Sequence, residues 1–297
     1  MSNPSPLARE LPAELPNPLG IDGVEYVEYG TSRPQALGQV LEMMGFRPVA
    51  RHRSREVLLY RQGAMNIIVN AHPGVVRGTP LPAEKPRIIA VALRVRDARA
   101  AYDYVLERGA WEVPMHAHVM ELNIPGIHGP GGAHFYFVDR YREFSIYDVD
   151  FTTIPTVDPK PPAVAGLGLF GVVQYIGRNR TEDWCEYYAQ LFGFTLLPEE
   201  LRFGIMPKGT LLRSPCEQFY VQLVEPPPET VSYDEEEYFS RIGLGTPDVP
   251  AAVAELRARG VEFDDAFAQD RERGALTRHY QHSVIFELVR DLRRAHG

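Results

Sequence analysis

The chain has 297 residues, 44% apolar and 24% charged, which is ordinary for a globular protein and long enough for two domains. Its formal net charge is -8, and no basic patch appears, so we expect neither nucleic acid nor an anionic membrane surface as a partner. Cys185 and Cys216 are too few for a disulfide framework and lack the spacing of a zinc site, which favours a reducing, cytoplasmic location.

Residues 1–18 contain five prolines and no apolar core of signal-peptide length, so we expect a disordered N-terminal arm. No later window approaches the roughly 20 apolar residues that a membrane span needs.

One helical pattern occurs twice in the chain. Residues 33–46 and 181–194 both carry apolar residues at helical spacing and end in Gly-Phe. Gly45 and Gly193 stand where the end of a helix favours a positive φ. Each segment is therefore predicted to be a helix that ends at its glycine.

A second helical pattern follows each copy of the first. Residues 97–112 and 248–262 both begin with an aspartate suited to cap a helix, Asp97 and Asp248. Two unlike units therefore recur in the order A, B, A, B.

Each unit is predicted to contain a strand, a helix and three short strands, from β-branched and aromatic enrichment between turn residues. In the first and third units, the predicted strands are 24–29, 47–52, 56–61, 65–70, 170–176, 195–198, 210–213 and 218–224. The glycine-rich residues 126–132 precede a strand rather than a helix, so they are predicted to form a tight loop and not a phosphate-binding loop.

Four βαβββ units are typical of the vicinal-oxygen-chelate superfamily, in which two units pack into one cupped sheet around a ligand site. We predict an α+β protein with two such domains, residues 19–155 and 166–297, joined by a proline-rich linker at residues 156–165.

Several motifs resemble the 4-hydroxyphenylpyruvate dioxygenase family of that superfamily. They are HRSREVLLYRQG (52–63), MELNIP (120–125), GGAHFYFVDRY (131–141), SIYDVDF (145–151) and VIFELVR (284–290). The resemblance is strongest in the first half, and the second half is shorter than the family's second domain.

The resemblance implies that the first domain is structural and that the second domain holds Fe(II) through two histidines and one glutamate. The matching positions here are Gln174, Arg241 and Glu287, so only the glutamate is retained. Glyoxalase-type relatives place a fourth residue in the same cup, and that position falls on Gln222.

Arginine offers only hydrogen-bond donors, so Arg241 cannot replace a metal ligand. We expect Gln174, Gln222, Arg241 and Glu287 to form one hydrogen-bonded set, in which Arg241 pairs with Glu287 and occupies the place of the iron. No cofactor is favoured in this interpretation, and Gln174, Gln222 and Arg241 bind the ligand. The alternatives are a surface arginine, or Fe(II) held by Gln174, Glu287 and an unassigned residue.

The equivalent positions of the first cup are Tyr26, Val69, Ala90 and Phe137, which include no iron ligand. We expect that cup to be filled by its own side chains.

Four histidines, His116, His118, His128 and His134, lie close together in sequence. A metal site there is the less favoured reading, since metal ligands of an enzyme usually come from separate rigid strands.

The functional expectation is a protein whose second cup binds a small anionic molecule, such as an aromatic 2-oxo acid, with Glu287 as the candidate catalytic base. The alternative is a working non-haem Fe(II) dioxygenase with a changed ligand set. The exposed edges of cupped sheets favour a homodimer.

Overall fold

The computed structural model describes residues 16–73, 85–114, 122–198, 209–226, 236–264, 272–291 and 293. The predicted arm lies outside this description, except for residues 16–18, where the Asn17 side chain donates to the Ile21 carbonyl at 2.9 Å.

Within the described residues, the first half forms eight strands and three α-helices. The strands are β1 Val24–Gly30, β2 Arg47–His52, β3 Val57–Gln62, β4 Met65–Asn70, β5 Arg87–Arg94, β6 Gly126–His128, β7 His134–Val138 and β8 Phe151–Thr153. The helices are α1 Pro34–Met43, α2 Ala98–Glu107 and α3 Ile146–Asp150.

The second half repeats this plan with fewer strands in the described residues. The strands are β9 Gly168–Tyr175, β10 Thr195–Leu196, β11 Thr210–Arg213, β12 Tyr220–Val224, β13 Tyr238–Thr246, β14 Gly274–Leu276 and β15 Phe286–Arg290. The helices are α4 Thr181–Phe192 and α5 Val249–Ala258.

Each half forms one mixed sheet. The strand orders are β6-β7-β5-β1-β4-β3-β2-β8 and β10-β11-β12-β9-β13-β15-β14. In both sheets the first strand pairs in parallel with the last strand of its own unit and antiparallel with the first strand of the next unit. The predicted α+β class with two cupped sheets is confirmed, and the concave face of each sheet is called its cup below.

Two details of the predicted units differ from the structure. Residues 126–132 were predicted as a loop, but the first three of them form β6 and pair with β7. The fourth unit shows two strands after its helix in the part of the chain described, rather than three. Strands of three residues are too short to show an alternating pattern.

Side-chain capping fixes where two equivalent helices begin. Asp97 accepts a hydrogen bond from the Ala100 amide at 2.9 Å, and Asp248 accepts one from the Ala251 amide at 2.9 Å. Gly193 ends α4 with a φ of 73°, a conformation that glycine adopts without strain. These predicted helix boundaries are confirmed.

The faces of the sheets that carry the helices share one continuous apolar core. Phe135 of β7 joins the two halves, since its ring centroid lies 5.0 Å from that of Phe192 in α4 and 5.6 Å from that of Phe239 in β13. The cups therefore lie on the opposite faces of the two sheets.

The predicted linker, residues 156–165, packs against the first sheet. The Pro161 carbonyl accepts from the Gly63 amide at 2.8 Å, and the Pro159 carbonyl accepts from Arg61 Nη1 at 2.9 Å. Within the described residues, every helix is too short or too polar to cross a lipid bilayer.

Candidate functional site

The second cup contains a buried pair of opposite charges. Arg241 Nε donates to Glu287 Oε2 at 2.9 Å, and the two side chains are 1% and 3% exposed. Their strands explain the contact, because Glu287 of β15 pairs with Gly243 of β13, two residues after Arg241. Residues two apart on a strand share a face. The predicted pairing of Arg241 with Glu287 is therefore confirmed.

The guanidinium of Arg241 has further donors to satisfy. Its Nη1 donates to the Tyr175 hydroxyl at 3.4 Å, and its Cζ lies 6.0 Å from the centroid of that ring. Its Nη2 is buried and has no hydrogen-bond partner in the described structure. A buried donor without an acceptor is unfavourable by about 1–3 kcal/mol, so this N–H is available to an acceptor that enters the cup.

Gln174 does not join this pair, which corrects the predicted set of four. It pairs across the sheet with Leu223 and Phe239, both of which lie in the core under the helices. Its Oε1 accepts from the Tyr188 hydroxyl of α4 at 2.6 Å, and the side chain is fully buried. Gln174 is thus part of the core between sheet and helix.

The physical reason is the alternation of side chains along a strand. Val173 pairs with Arg241, so odd-numbered residues of this part of β9 face the cup. Gln174 is one position further along and faces the opposite side. A shift of one residue in the predicted alignment therefore placed it in the cup.

Gln222 is correctly placed on the cup face. It pairs with Val173, which in turn pairs with Arg241, so the three residues form one row across three strands. Two strand spacings separate the Cα atoms of Gln222 and Arg241, which corresponds to about 10 Å. Among the described residues, Gln222 makes no hydrogen bond to the charged pair.

The described residues of this cup do not fit the iron that the resemblance implies. The position on β9 in the row of Glu287 is Gly171, reached through Gly243. A Cβ atom at Gly171 would collide with the backbone oxygen of Tyr220, so no ligating side chain fits there. Glu287 is already bound by a guanidinium, and no group of three His, Cys, Asp or Glu side chains in the described residues could hold a metal ion.

Aromatic residues line another part of the second sheet's cup face. Phe170 and Tyr220 stack with their ring centroids 4.7 Å apart, and Val289 packs with them. The Arg293 guanidinium covers both rings, 5.6 Å and 5.0 Å from their centroids, and forms a bidentate pair with Asp291. This apolar surface suits an aromatic or aliphatic group.

Two of the four positions assigned to the first cup face it. Tyr26 packs with the apolar side chains of the cup face, and Ala90 pairs with Glu28 on the same face as Tyr26. Val69 and Phe137 instead lie in the core beneath the helices, again because of a one-residue shift.

The first cup also holds a partly buried carboxylate that the sequence patterns did not indicate. Glu28 Oε1 accepts from Asn70 Nδ2 at 2.7 Å, and burial raises the pKa of Glu28 in spite of that bond. Tyr136 contributes to the same environment, since the charge of Glu28 adds to the effect of burial in raising its pKa.

The clustered histidines are only in part described. His116 and His118 lie outside the described residues. His128 and His134 pair across β6 and β7, with ring centroids 5.1 Å apart, and His134 Nδ1 lies 3.2 Å from the Tyr136 hydroxyl. Burial, aided by His128, lowers the pKa of His134 to about 4.

A cavity of about 460 Å³ lies between the two halves, and neither Arg241 nor Glu287 lines it. Its carboxylates already have partners, because Glu25 Oε2 accepts from Arg94 Nε at 2.6 Å and Asp291 binds Arg293. We therefore interpret it as a packing cavity between the two halves and not as the ligand site.

Two further residues near the charged pair could not be found from the sequence. Tyr238 pairs with Tyr175 at the start of β13, and Arg87 reaches it from the first sheet. Strict alternation from Arg241 would place Tyr238 on the opposite face, and only the irregularity between Phe239 and Arg241 brings it to the cup. The contact of Arg87 between the halves leaves no local signal.

Comparison with known proteins supports the resemblance. Residues 15–152 match the family model "Hydroxyphenylpyruvate dioxygenase, HPPD, N-terminal", and residues 170–291 match "Glyoxalase/Bleomycin resistance protein/Dioxygenase superfamily". A 4-hydroxyphenylpyruvate dioxygenase of Pseudomonas aeruginosa is 36% identical over 268 residues, which cover 84% of this chain and 73% of that protein. The chain belongs to the 4-hydroxyphenylpyruvate dioxygenase family.

A further family member matches over a shorter stretch, and a solved structure matches over nearly the whole chain. The 4-hydroxyphenylpyruvate dioxygenase of Pseudomonas sp. (strain P.J. 874) is 41% identical over 180 residues, 60% of this chain, and the match spans only half of that enzyme. A solved structure, a xylose isomerase-like TIM barrel/4-hydroxyphenylpyruvate dioxygenase fusion protein, superposes with a TM-score of 0.74 at 23% identity. The superposition covers 96% of this chain and 51% of the fusion protein, and it supports the assignment of the fold.

Proposed function

We propose that the second cup binds a small anionic ligand, such as an aromatic 2-oxo acid, without the Fe(II) of the family. The observation that carries this proposal is the bond between Arg241 and Glu287, the family's retained ligand position. A guanidinium stands beside that carboxylate where the family places a metal ion, and its Nη2, which has no partner in the described residues, can donate to an anion.

The residues of the cup take separate roles in this proposal. Arg241 holds the ligand's carboxylate through Nη2, its donor without a partner in the described residues. Gln222 lies in the same row and orients the far end of the ligand. Glu287 is the candidate base for a proton transfer, since it is a carboxylate on the cup face.

The second candidate function is a working Fe(II) dioxygenase, which family membership and the retained Glu287 favour. Gln174 faces the helices, so this alternative requires ligands from outside the described residues and a different position for Arg241.

Metal analysis and ligand binding separate the two candidates. Protein incubated with Fe(II) under argon and then desalted is expected to retain no stoichiometric iron and to consume no O₂ with 4-hydroxyphenylpyruvate. Calorimetry is expected to show binding of that 2-oxo acid, which Arg241→Gln weakens at least about tenfold because a charged hydrogen bond is lost.

The control is Arg278→Gln, which removes an exposed arginine with the same kind of glutamate partner. Stoichiometric iron that is lost in Glu287→Ala would contradict the metal-free proposal and support the dioxygenase.

A further inference from the structure

A second arginine lies beside the second cup although it belongs to the first sheet. Arg87 begins β5, and its guanidinium Cζ lies 5.6 Å from the centroid of the Tyr238 ring at the start of β13. Its side chain is only 6% exposed. The Pro86 carbonyl accepts from the Ser283 hydroxyl at 2.6 Å, which holds this end of β5 against the second half.

Arg87 is incompletely satisfied in this position. Nη2 lies 3.4 Å from Glu236 Oε2, and that glutamate is 46% exposed, so the ion pair is long and screened by water. Nη1 is buried and has no hydrogen-bond partner in the described structure. Burial lowers the pKa of Arg87, and the charge of Glu236 opposes that effect only in part.

A row of side chains connects Arg87 with Arg241. The rings of Tyr238 and Tyr175 meet edge to face with centroids 5.5 Å apart, and Arg241 donates to the Tyr175 hydroxyl. Both arginines act on the Tyr238 hydroxyl, since each opposes the rise in its pKa that burial causes. The row therefore begins and ends with a guanidinium that keeps one buried N–H unused.

Two buried guanidiniums, each with one N–H that has no acceptor in the described structure, point to an anion with two charged ends. Buried donors are almost always hydrogen-bonded, and buried charges are paired. Glu287 neutralises Arg241 through Nε, and Glu236 meets Arg87 only at the surface. Two tyrosine rings lie between the guanidiniums, so the acidic groups must be separated by a ring or a short chain.

We propose that the ligand of the second cup is a small dicarboxylate, with one carboxylate on Arg241 Nη2 and the other on Arg87 Nη1. This inference rests on the proposed anion site and names its ligand class. It also makes Arg87 a residue that determines specificity, since one binding group comes from each half of the chain.

Matched ligand pairs test this proposal by calorimetry. Terephthalate is compared with 4-methylbenzoate, and adipate with hexanoate, so that each pair differs by one carboxylate. The wild-type protein is expected to bind each dicarboxylate at least about tenfold tighter than its partner, because a second charged hydrogen bond forms. Arg87→Gln is expected to remove this preference by lowering the dicarboxylate affinity more than the monocarboxylate affinity.

Three further variants complete the test. Arg241→Gln is expected to weaken both ligand classes, and Arg278→Gln neither. Arg87→Lys keeps the charge and is expected to retain part of the preference, which guards against a folding defect in Arg87→Gln. Equal wild-type affinity within each pair, or an equal loss for both classes in Arg87→Gln, would overturn the dicarboxylate proposal alone. A wild-type protein that binds no carboxylate of either class would contradict the anion site itself.

Discussion

At the scale of single residues, the contact between Arg241 and Glu287 depends on both partners being present. Each is nearly inaccessible to water, so removal of either one leaves an uncompensated charge in the cup. We predict that Arg241→Met lowers the free energy of unfolding by about 3–5 kcal/mol. The measurement is urea unfolding monitored by circular dichroism.

Two comparisons make that prediction specific. The double variant Arg241→Met/Glu287→Leu is expected to recover most of the lost stability, because no lone charge remains. Arg278 and Glu262 form an exposed pair at 3.0 Å, with 63% exposure of each side chain, so Arg278→Met should change stability by about 1 kcal/mol or less. If Arg241→Met and Arg278→Met lowered the free energy of unfolding by similar amounts, burial of the Arg241–Glu287 pair would not explain the effect.

The charged pair was predictable from sequence, whereas its surroundings were not. Arg241 and Glu287 followed from the resemblance, because the helices and strands around them recur at a nearly constant offset. The predicted position of Gln174 was wrong because successive side chains of a strand point to opposite faces. A correctly predicted strand whose alignment is shifted by one residue therefore places every side chain on the wrong face. Gly171 gave no chemical signal, although it decides that no ligand can come from the β9 position in the row of Glu287.

At the scale of helices and strands, two equivalent caps fix the start of α2 and α5. Asp97 and Asp248 each accept one amide hydrogen bond that would otherwise be unsatisfied. We predict that Asp97→Ala and Asp248→Ala each lower the free energy of unfolding by about 1 kcal/mol. The losses should add in the double variant, since the sites share no partner.

The control for these caps is substitution by asparagine, which retains the accepting oxygen. Asp97→Asn and Asp248→Asn should keep nearly all of the wild-type stability in the same urea titration. If asparagine were as harmful as alanine, the aspartate charge rather than the cap would be responsible.

Long periodic elements were easier to predict than short ones. Helix α4 and strands β2, β4 and β11 appear within one or two residues of their predicted positions, because each combines a clear pattern with a turn residue at its end. Strand β6 has three residues and was assigned to a loop, since its pairing with β7 and not its own pattern makes it a strand.

At the scale of the whole molecule, burial of His134 makes stability depend on pH. The pKa of His134 is about 4 in the folded protein, against 6.5 for an ordinary histidine. The unfolded chain therefore binds a proton first as the pH falls. The stabilising contribution is complete above pH 6.5 and is lost progressively as the pH falls towards about 4.

Urea unfolding at several pH values between 4 and 7 measures this effect. Wild-type stability should fall more steeply with acidification than that of His134→Asn, whose side chain does not titrate. Replacement of His72, an exposed histidine, serves as the control. Identical slopes for wild type and His134→Asn would show that other groups cause the pH dependence.

The arrangement of the two halves was beyond the reach of sequence patterns. The repeats indicated two similar sheets, but nothing in the residues around Arg87 or Tyr238 indicated that they meet. Such contacts join positions about 150 residues apart, and local spacing carries no information on them.

Phe135 packs between Phe192 and Phe239, so each half of the chain buries an apolar surface of the other half. Either half made alone would present a cluster of aromatic rings to water, and such surfaces drive aggregation. Although the sequence contains a repeat, we therefore expect that the two halves cannot be exchanged or produced as separate stable domains. A protease that cut the connecting segment would leave two fragments still bound to each other.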